Sequence, residues 1–407
     1  MMNSPLFEKR IVLGVTGSIA CYKAVELASQ LHQHGALVNV ILTEAAAQFV
    51  STLTFQSVSG RSAYVDADMW GGTDHVQHIT LGHNTDLLVI APVTANTIAK
   101  LAYGMADNLL TVTALAAKCP LILAPAMDGG MFSHPATQAN IDLLVRRGAV
   151  ILGPAEGHLA SGMIGIGRML EASDLLDEIR LFAARGGSLD GRKVIITAGG
   201  TWEAIDPVRG ITNRSSGKQG FAIAQAALDQ GAETILICGP NTLKTPLGAK
   251  RIDVTSANEM LSIVLEHTSS ADALIMAAAV ADFRPANRAV QKIKKGQSEF
   301  QVIPLEATVD ILLEVADMKS RLGYPKITVG FAAESQDLLE NARTKLQKKQ
   351  LDLIVANDIT AQDAGFAVET NRVTIIPADG ETKVLPLMDK TDVADRIIDR
   401  VVEMLDR

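Results

Sequence analysis

The sequence predicts an α/β protein made of two tandem open parallel-sheet domains, and three observations carry that expectation. Its 407 residues suffice for two or three domains at about 150 residues each. An apolar run, a glycine turn and a helix-period stretch follow one another at the start of the chain and again near its middle. The other apolar runs are continuous rather than alternating, as in parallel strands buried on both faces. Hydrophobic residues at 48% exclude disorder over most of the length. A net charge of −8 without a long basic run argues against nucleic acid or an anionic membrane as partner.

The first half opens with a strand at residues 11–15, stopped by Thr16-Gly17-Ser18. A helix follows to about residue 33, and a second strand spans 37–42. Residues 86–91 and 120–124 read as further strands, with helices near 95–102 and 135–147 between and after them. A polar, glycine-rich stretch at 184–191 reads as a linker and places the domains at 1–188 and 189–407. The pattern then restarts with strand 193–198, Gly199-Gly200, helix 217–230 and strand 233–238. Strands 272–276, 327–331 and 352–355 complete the second sheet.

Cys21, Cys119 and Cys238 show no CxxC spacing, so neither a disulfide framework nor a structural zinc site is indicated. The N-terminus lacks the apolar core of a signal peptide, and no apolar run reaches the roughly 18 residues of a membrane helix. A cytoplasmic protein is expected.

Segment 14–20, GVTGSIA, puts two glycines and two hydroxyls where a strand meets a helix. Free N–H groups and the positive dipole end would bind a phosphate there; a tight turn with Ser18 as N-cap explains the pattern equally well. The spacing is not GxGxxG, and Leu42-Thr43 stands where a ribose-binding acid would, so an NAD enzyme is not supported. Segment 91–96, APVTAN, follows a strand at its carboxyl end, where its polar groups could reach a flavin; Thr94 as a helix cap is the plainer reading. His75 and His78 have no accompanying Glu or Cys in a zinc pattern. In the second half, Ser215 to Lys218 could bind phosphate at a helix start or merely cap it, and no P-loop is present. Lys292, Lys294 and Lys295, downstream of Asp282 at a strand end, could neutralise a triphosphate or form a solvated face.

In chain order, GxTGSIA (14–20), HIxL (78–81), PVTANTIAK (92–100), PAMDxxM (125–131) and GxGRM (165–169) resemble the flavin-dependent cysteine decarboxylase family. DPVR (206–209) with TNRSSGKxG (212–220) resembles the phosphopantothenate–cysteine ligases. Nearly the whole chain is thus similar to the bifunctional bacterial family of coenzyme A synthesis. The resemblance implies a flavodoxin-like flavoprotein domain followed by a Rossmann-like ligase domain, in a homo-oligomer. It implies that FMN oxidises the cysteinyl thiol of 4'-phosphopantothenoylcysteine so that CO₂ can leave, and that reduced flavin then returns the hydride. His78 would lie near flavin and substrate, with Thr16, Gly17, Ser18 and Ile19 as phosphate clamp. Thr43, Thr94, Ala95, Asn96 and Met127 would be further flavin contacts.

For the ligase, the resemblance implies that CTP with Mg²⁺ activates 4'-phosphopantothenate as an acyl-cytidylate, from which the amine of cysteine displaces CMP. Asn213 would hold that intermediate with Arg209 nearby. Met276, Ala277, Ala278, Asp282, Lys292, Thr308, Val309, Asp310, Ile311, Phe331, Lys345 and Lys349 would contact CTP. The Mg²⁺ ligands stay unassigned beyond the phosphates themselves.

Two positions depart from the family pattern. Asp128 stands where an Asn usually binds the substrate carboxylate, and Ser161 where a Cys usually gives the final proton. A hydroxyl is a far weaker acid than a thiol, and His158 is the nearest other proton carrier in sequence. One alternative is therefore an active ligase with a flavin-binding but weak first domain. The alternative from another class, a non-enzymatic flavodoxin-like binding protein, is disfavoured by the intact ligase motifs and the lack of a long acidic tail.

Overall fold

Each half of the chain buries its apolar strand runs in the middle of one parallel sheet. The structure, a computed structural model, describes residues 4–70, 76–159, 162–293, 302–334, 338–358 and 368–406. It divides into two compact units, Met1–Ala183 and Ala184–Arg407.

In the first unit, β1 (Arg10–Val15), β2 (Leu37–Leu42), β3 (Ala63–Tyr64), β4 (Leu87–Val93), β5 (Leu121–Pro125) and β6 (Val150–Ile151) form a sheet in the order β3-β2-β1-β4-β5-β6. Every pairing in it is parallel. Without the two-residue edge strand β3, this is the 2-1-3-4-5 order of flavodoxin-like folds. Helix α1 (Cys21–Gln33) buries Cys21, Ala24, Leu27, Ala28 and Leu31, a stripe at helical spacing that covers one face of the sheet. Shorter helices are α2 (Glu44–Ala47), α3 (Thr52–Ser59) and α4 (Gln77–His83). Helices α5 (Ala95–Tyr103), α6 (Leu109–Ala116), α7 (Gly129–Ser133), α8 (Pro135–Arg146) and α9 (Ala172–Ala183) follow. Helices α5, α6 and α8 contribute to a separate apolar cluster on the opposite sheet face. An antiparallel pair, β7 (Ala155–His158) and β8 (Ile164–Arg168), stands outside the sheet.

The second unit has β9 (Lys193–Ala198), the pair β10 (Trp202–Ala204) and β11 (Gly210–Thr212), β12 (Glu233–Cys238), β13 (Lys250–Asp253) and β14 (Ala273–Met276). After the pair β15 (Phe283–Pro285) and β16 (Leu305–Ala307) come β17 (Ile327–Glu334), β18 (Leu353–Asp358), β19 (Thr370–Asn371), β20 (Val373–Pro377), β21 (Lys383–Val384) and β22 (Met388–Asp389). The main sheet runs β13-β12-β9-β14-β17-β18-β20-β21. Its first six strands are parallel, in the Rossmann order, and β20 and β21 close it antiparallel. Helices α10 (Lys218–Asp229) and α14 (Lys390–Leu405) cover one face. Helices α11 (Ala257–Thr268), α12 (Ile311–Leu322) and α13 (Leu338–Lys348) cover the other.

The strands expected from continuous apolar runs are all present, three of them (37–42, 193–198 and 233–238) with the expected ends. The short edge strands, the hairpins and the antiparallel closure were not expected, because none carries a long uninterrupted apolar run.

Helix α14 buries Val393, Ala394, Ile397, Ile398 and Val401 against the sheet and α10, and this brings Asp395 toward Asp229. Burial first, then the Asp229 charge, pushes the Asp395 carboxyl up to about 6. For an acid raised on folding, ionisation opposes the folded state. Stability is full below the unfolded value near 4 and declines as pH rises through about 6. Asp395→Asn is expected to stabilise the second unit by about 1 kcal/mol at pH 7.5, after allowance for solvent screening, and to add nothing near pH 4. Thermal unfolding of both proteins at the two pH values measures this.

Candidate active sites

The strand orders place a switch point between β1 and β4 in the first unit and between β9 and β14 in the second. Crossovers leave these neighbouring strands toward opposite faces, so their carboxyl ends part and open a cleft.

In the first unit the buried Thr16 ties that opening together. Its backbone N–H and its hydroxyl both donate to Pro92 O, at 3.2 and 2.9 Å, and Oγ1 accepts from Thr94 N–H at 3.0 Å. Thr94 accepts from Thr97 N–H to cap α5, and Thr43 accepts from Ala46 N–H to cap α2. Ala95 is half-buried and Asn96 exposed at the start of α5. Gly17 is required by close approach, since a Cβ there would stand 2.5 Å from Ala45 Cβ. Ser18 is not the cap of α1: that position is Ala20, which offers no side-chain acceptor, while Ser18 Oγ accepts from Ala20 N–H. The first-turn N–H groups of α1 therefore have no side-chain cap.

Beside this turn lies a cavity of about 270 Å³ whose lining includes Ser18, Ile19, Tyr22, Met127, Asp128 and His158. Asp128 caps α7 by accepting from Gly130 N–H at 2.9 Å. The β7–β8 hairpin crosses the end of β5 at close range, with Met127 N–H donating to Gly167 O at 3.0 Å. At Gly167, whose φ is +142°, a Cβ would stand only 2.2 Å from Met127 O. Lys23, with a side chain 4% exposed, donates to Met169 O at 2.9 Å and Glu171 Oε1 at 3.0 Å. That pair fixes the chain after the hairpin to α1. The hairpin thus carries His158 into the same lining as Asp128, a placement no local spacing announces.

His78 sits in the first turn of α4, half-buried, with its Nδ1 enclosed and without a hydrogen-bond partner among the described residues. It does not line this cavity. Ser161, like His75, lies outside the described residues. The thiol of Cys21 is buried, donates to Thr16 O and is pushed up by burial. Tyr22 and Lys23 were missed by the sequence reading, although they lie within one helical turn of the clamp.

The cleft of the second unit is larger, about 490 Å³. Its floor is the segment after β14, held from both sides. Ala279 N–H donates to Gly199 O, Ala278 N–H to Thr197 Oγ1 and Ala281 N–H to Thr201 Oγ1. Asn213 Nδ2 donates to Ala279 O at 3.2 Å and Val280 O at 3.0 Å. Gly220 lies so close to β9 that a Cβ would meet Ala198 Cβ at 2.6 Å, which seats α10 on the strand. Helix α10 begins at Gly217, φ +78°, again with no side-chain cap.

Most expected residues meet here. Asn213, Met276, Ala277, Ala278, Asp282, Thr308, Val309, Asp310, Ile311, Phe331, Lys345 and Lys349 all line the cavity. Thr308 donates its hydroxyl to Ala281 O, and Asp310 caps α12 while pairing with Lys349 Nζ at 2.9 Å. Lys218, Asn357, Asn371 and Lys390 line it as well. Asn371 and Lys390 were missed, because they lie more than 150 residues after Lys218 and carry no motif of their own.

Arg209 and Lys292 are not in the lining. Arg209 forms a two-pronged pair with the buried Asp206 and donates to Ile293 O at 2.8 Å, while Ile293 N–H donates to Asp206 Oδ2 at 3.2 Å. Asp206 also accepts from the N–H groups of Val208 and Arg209. Arg209 is therefore a positioning residue for the segment carrying Lys292, which is itself exposed. Lys294 and Lys295 lie outside the described residues.

Fold and clefts define a flavoprotein-type sheet unit joined to a Rossmann-type unit with a cation-lined cleft. The chain matches the Flavoprotein family over residues 2–183 and the DNA/pantothenate metabolism flavoprotein C-terminal domain over residues 189–405. It belongs to the family of bifunctional coenzyme A biosynthesis proteins. It is 45% identical over 402 residues to the coenzyme A biosynthesis bifunctional protein CoaBC of Bacillus subtilis (strain 168), covering 98% of each chain. It is 42% identical over 416 residues to that of Mycobacterium tuberculosis (strain ATCC 25618 / H37Rv), covering 100% of this chain and 99% of the relative. Among solved structures, it is similar to the C-terminal domain of a CoaBC at 42% identity and a TM-score of 0.46, over 54% of this chain and 99% of that one. A mutant PPC decarboxylase complexed with pantothenoylaminoethenethiol is similar at 34% identity and a TM-score of 0.40, over 43% and 98%. The chain is a bifunctional enzyme of coenzyme A biosynthesis, with a flavoprotein decarboxylase domain and a ligase domain.

The Asp206 carboxyl is held well below the usual carboxylate range, by the Arg209 guanidinium first and by three backbone N–H groups. For an acid depressed on folding, the stabilisation is full above the ordinary value near 4 and is lost as pH falls through the folded one. Asp206→Asn is expected to slow ligase turnover about tenfold by releasing the Lys292 segment, with flavin content retained. Its stability deficit against the parent protein should be constant from pH 8 to about 4 and shrink below. Pyrophosphate release and unfolding midpoints across that range check both parts.

Proposed function

We propose that residues 189–407 join 4'-phosphopantothenate to cysteine at the expense of CTP, and that residues 1–188 decarboxylate the product to 4'-phosphopantetheine. The observation that carries this reading is the second cleft, in which a strand-end Asp282, the Asp310–Lys349 pair and Lys345 converge at the carboxyl ends of a Rossmann-ordered sheet. The substrate carboxylate attacks the α-phosphate of CTP, pyrophosphate leaves, and the amine of cysteine then displaces CMP to form the amide. Lys345 and Lys349 would offset the triphosphate charge, and Lys292, on the segment held by Asp206 and Arg209, would approach it from the rim. Mg²⁺ would travel mainly on the nucleotide phosphates, consistent with only two described carboxylates, Asp282 and Asp310, in the lining. Asn213, spent on two backbone carbonyls, would shape the wall against which the acyl-cytidylate lies.

In the first cleft the residues present fit FMN. The N-terminal end of α1, with its positive dipole and no side-chain cap, would attract a phosphate, and the cavity beside it is framed by Ile19 and Met127. Bound FMN would supply the two-electron oxidation of the cysteinyl thiol that lets CO₂ leave, and the return of those electrons. The chain's own part is to hold the substrate between the α1 turn and the hairpin, and to deliver the last proton. With a serine at position 161, we assign that proton to the imidazole of His158, which shares the cavity with Asp128.

Incubation of the purified protein with 4'-phosphopantothenate, cysteine, CTP and Mg²⁺, with products resolved by mass, tests the reading. Amide and then phosphopantetheine are expected; neither product would refute it. His158→Gln is expected to cut phosphopantetheine formation by about 10²-fold and let an oxidised enethiol product accumulate, while amide formation proceeds at the parental rate. Ser161→Cys should restore clean turnover in that background. Parental decarboxylation by His158→Gln would rule out the imidazole as donor.

A further inference from the structure

The second cleft carries two groups of lysines, and only one has been assigned. Lys345 and Lys349 come from the α13 side, where α12 and α13 pack on one face of the sheet. Lys218 and Lys390 come from the starts of α10 and α14, which pack on the other face. The sheet edge therefore separates two cationic walls of one cavity.

The second wall is built rather than incidental. Lys390 is 5% exposed, and a lysine is seldom so buried without a purpose for its charge. Its backbone N–H donates to Glu369 O, its carbonyl accepts from Gln219 Nε2 at 3.1 Å, and its Nζ donates to Val368 O at 2.6 Å. Asn371 Nδ2 in turn donates to Gln219 Oε1 at 3.4 Å. Burial first, and then the charge of Lys218, hold the Lys390 ammonium below the ordinary lysine range. Two cations thus face one cavity at mutual cost, which an incoming anion would relieve. Glu369 now pairs with Lys218, but its side chain is 75% exposed and can yield to a stronger anion. The uncapped N–H groups of α10 begin at the same point.

We propose that Lys218 and Lys390, backed by Gln219 and Asn371, form a second anion subsite that takes the phosphomonoester of the acyl substrate. This rests on the ligase reading. That reaction brings together a nucleoside triphosphate and an acid whose own phosphate sits at the far end of a long chain. Anchoring the two phosphates on opposite walls lets the carboxylate reach the α-phosphate without crowding the charges. The subsite also explains how the enzyme would tell the phosphorylated acid from the free one, because only the phosphorylated acid brings an anion able to displace the exposed Glu369 from Lys218 and to approach Lys390.

The experiment is calorimetric titration of full-length protein, without catalysis, with 4'-phosphopantothenate, pantothenate and CTP in turn. Lys390→Gln is expected to weaken 4'-phosphopantothenate about tenfold or more and CTP less than twofold, collapsing the preference over pantothenate by the same factor. Lys218→Gln, at a position with a 29% exposed side chain and small risk to folding, should act in the same direction and decides the matter if Lys390→Gln does not fold. Equal weakening of CTP and acid would give these lysines to the nucleotide and overturn the proposal, as would no change in either. If the parent protein forms no amide yet the phosphate-dependent loss is seen, the ligase reading fails and the subsite stands.

Discussion

Everything chemical in either unit depends on the parting of two adjacent parallel strands. A parallel sheet needs a crossover after each strand, and reversal of the winding sends neighbouring crossovers to opposite faces. At β1/β4 and β9/β14 the carboxyl ends lose their common cover, and a helix start is left facing the gap. Neither α1 nor α10 spends a side chain on capping that start. The two gaps are held open differently. In the first, a single buried hydroxyl, Thr16, bridges the strand ends. In the second, Thr197, Thr201, Gly199 and Asn213 each contribute a hydrogen bond to the segment 278–281.

The charge lining the gaps follows from what surrounds them. The second cleft draws lysines from helices on both faces, and its carboxylates are partly engaged: Asp310 caps α12 and pairs with Lys349. A carboxylate at a helix start is favoured by the dipole, so Lys349 gains a partner of fixed position rather than a solvated one. The first cleft is poorer in usable cations. Its Lys23 is consumed by Met169 O and Glu171, which anchors the hairpin to α1. A triphosphate suits the first description and a single phosphate at a helix start the second.

The core strands were legible in the sequence because a strand buried on both faces reads as a near-continuous apolar run, as at 194–196 and 235–238. The β7–β8 hairpin was not. AEGH and IGIGR have neither a long apolar run nor an apolar–polar alternation, and Gly167 is needed where the hairpin crosses the end of β5. The place of His158 is a consequence of that crossing and could not be read without it. Lys390 was hidden for another reason. It reads as one lysine at the start of an amphipathic helix, and only the packing of α14 beside α10 brings it to Lys218.

The motif residues themselves divide by where their polar atoms go. Thr16, Thr43 and Thr94 give theirs to backbone groups that join or cap elements. Asn213 and Arg209 do the same in the second unit, Arg209 through Asp206 and Ile293. Asp282, Lys345 and Lys349 instead line the open space. A residue of the first kind fixes the shape of a cleft, and its replacement acts through displaced backbone. A residue of the second kind meets the ligand directly. The spacing of a motif cannot distinguish the two, since both kinds stand around the same strand ends. Only the hydrogen-bond partner of each side chain does so; it lies within one helical turn for Thr43 and Thr94 but on a distant segment for Thr16 and Asn213.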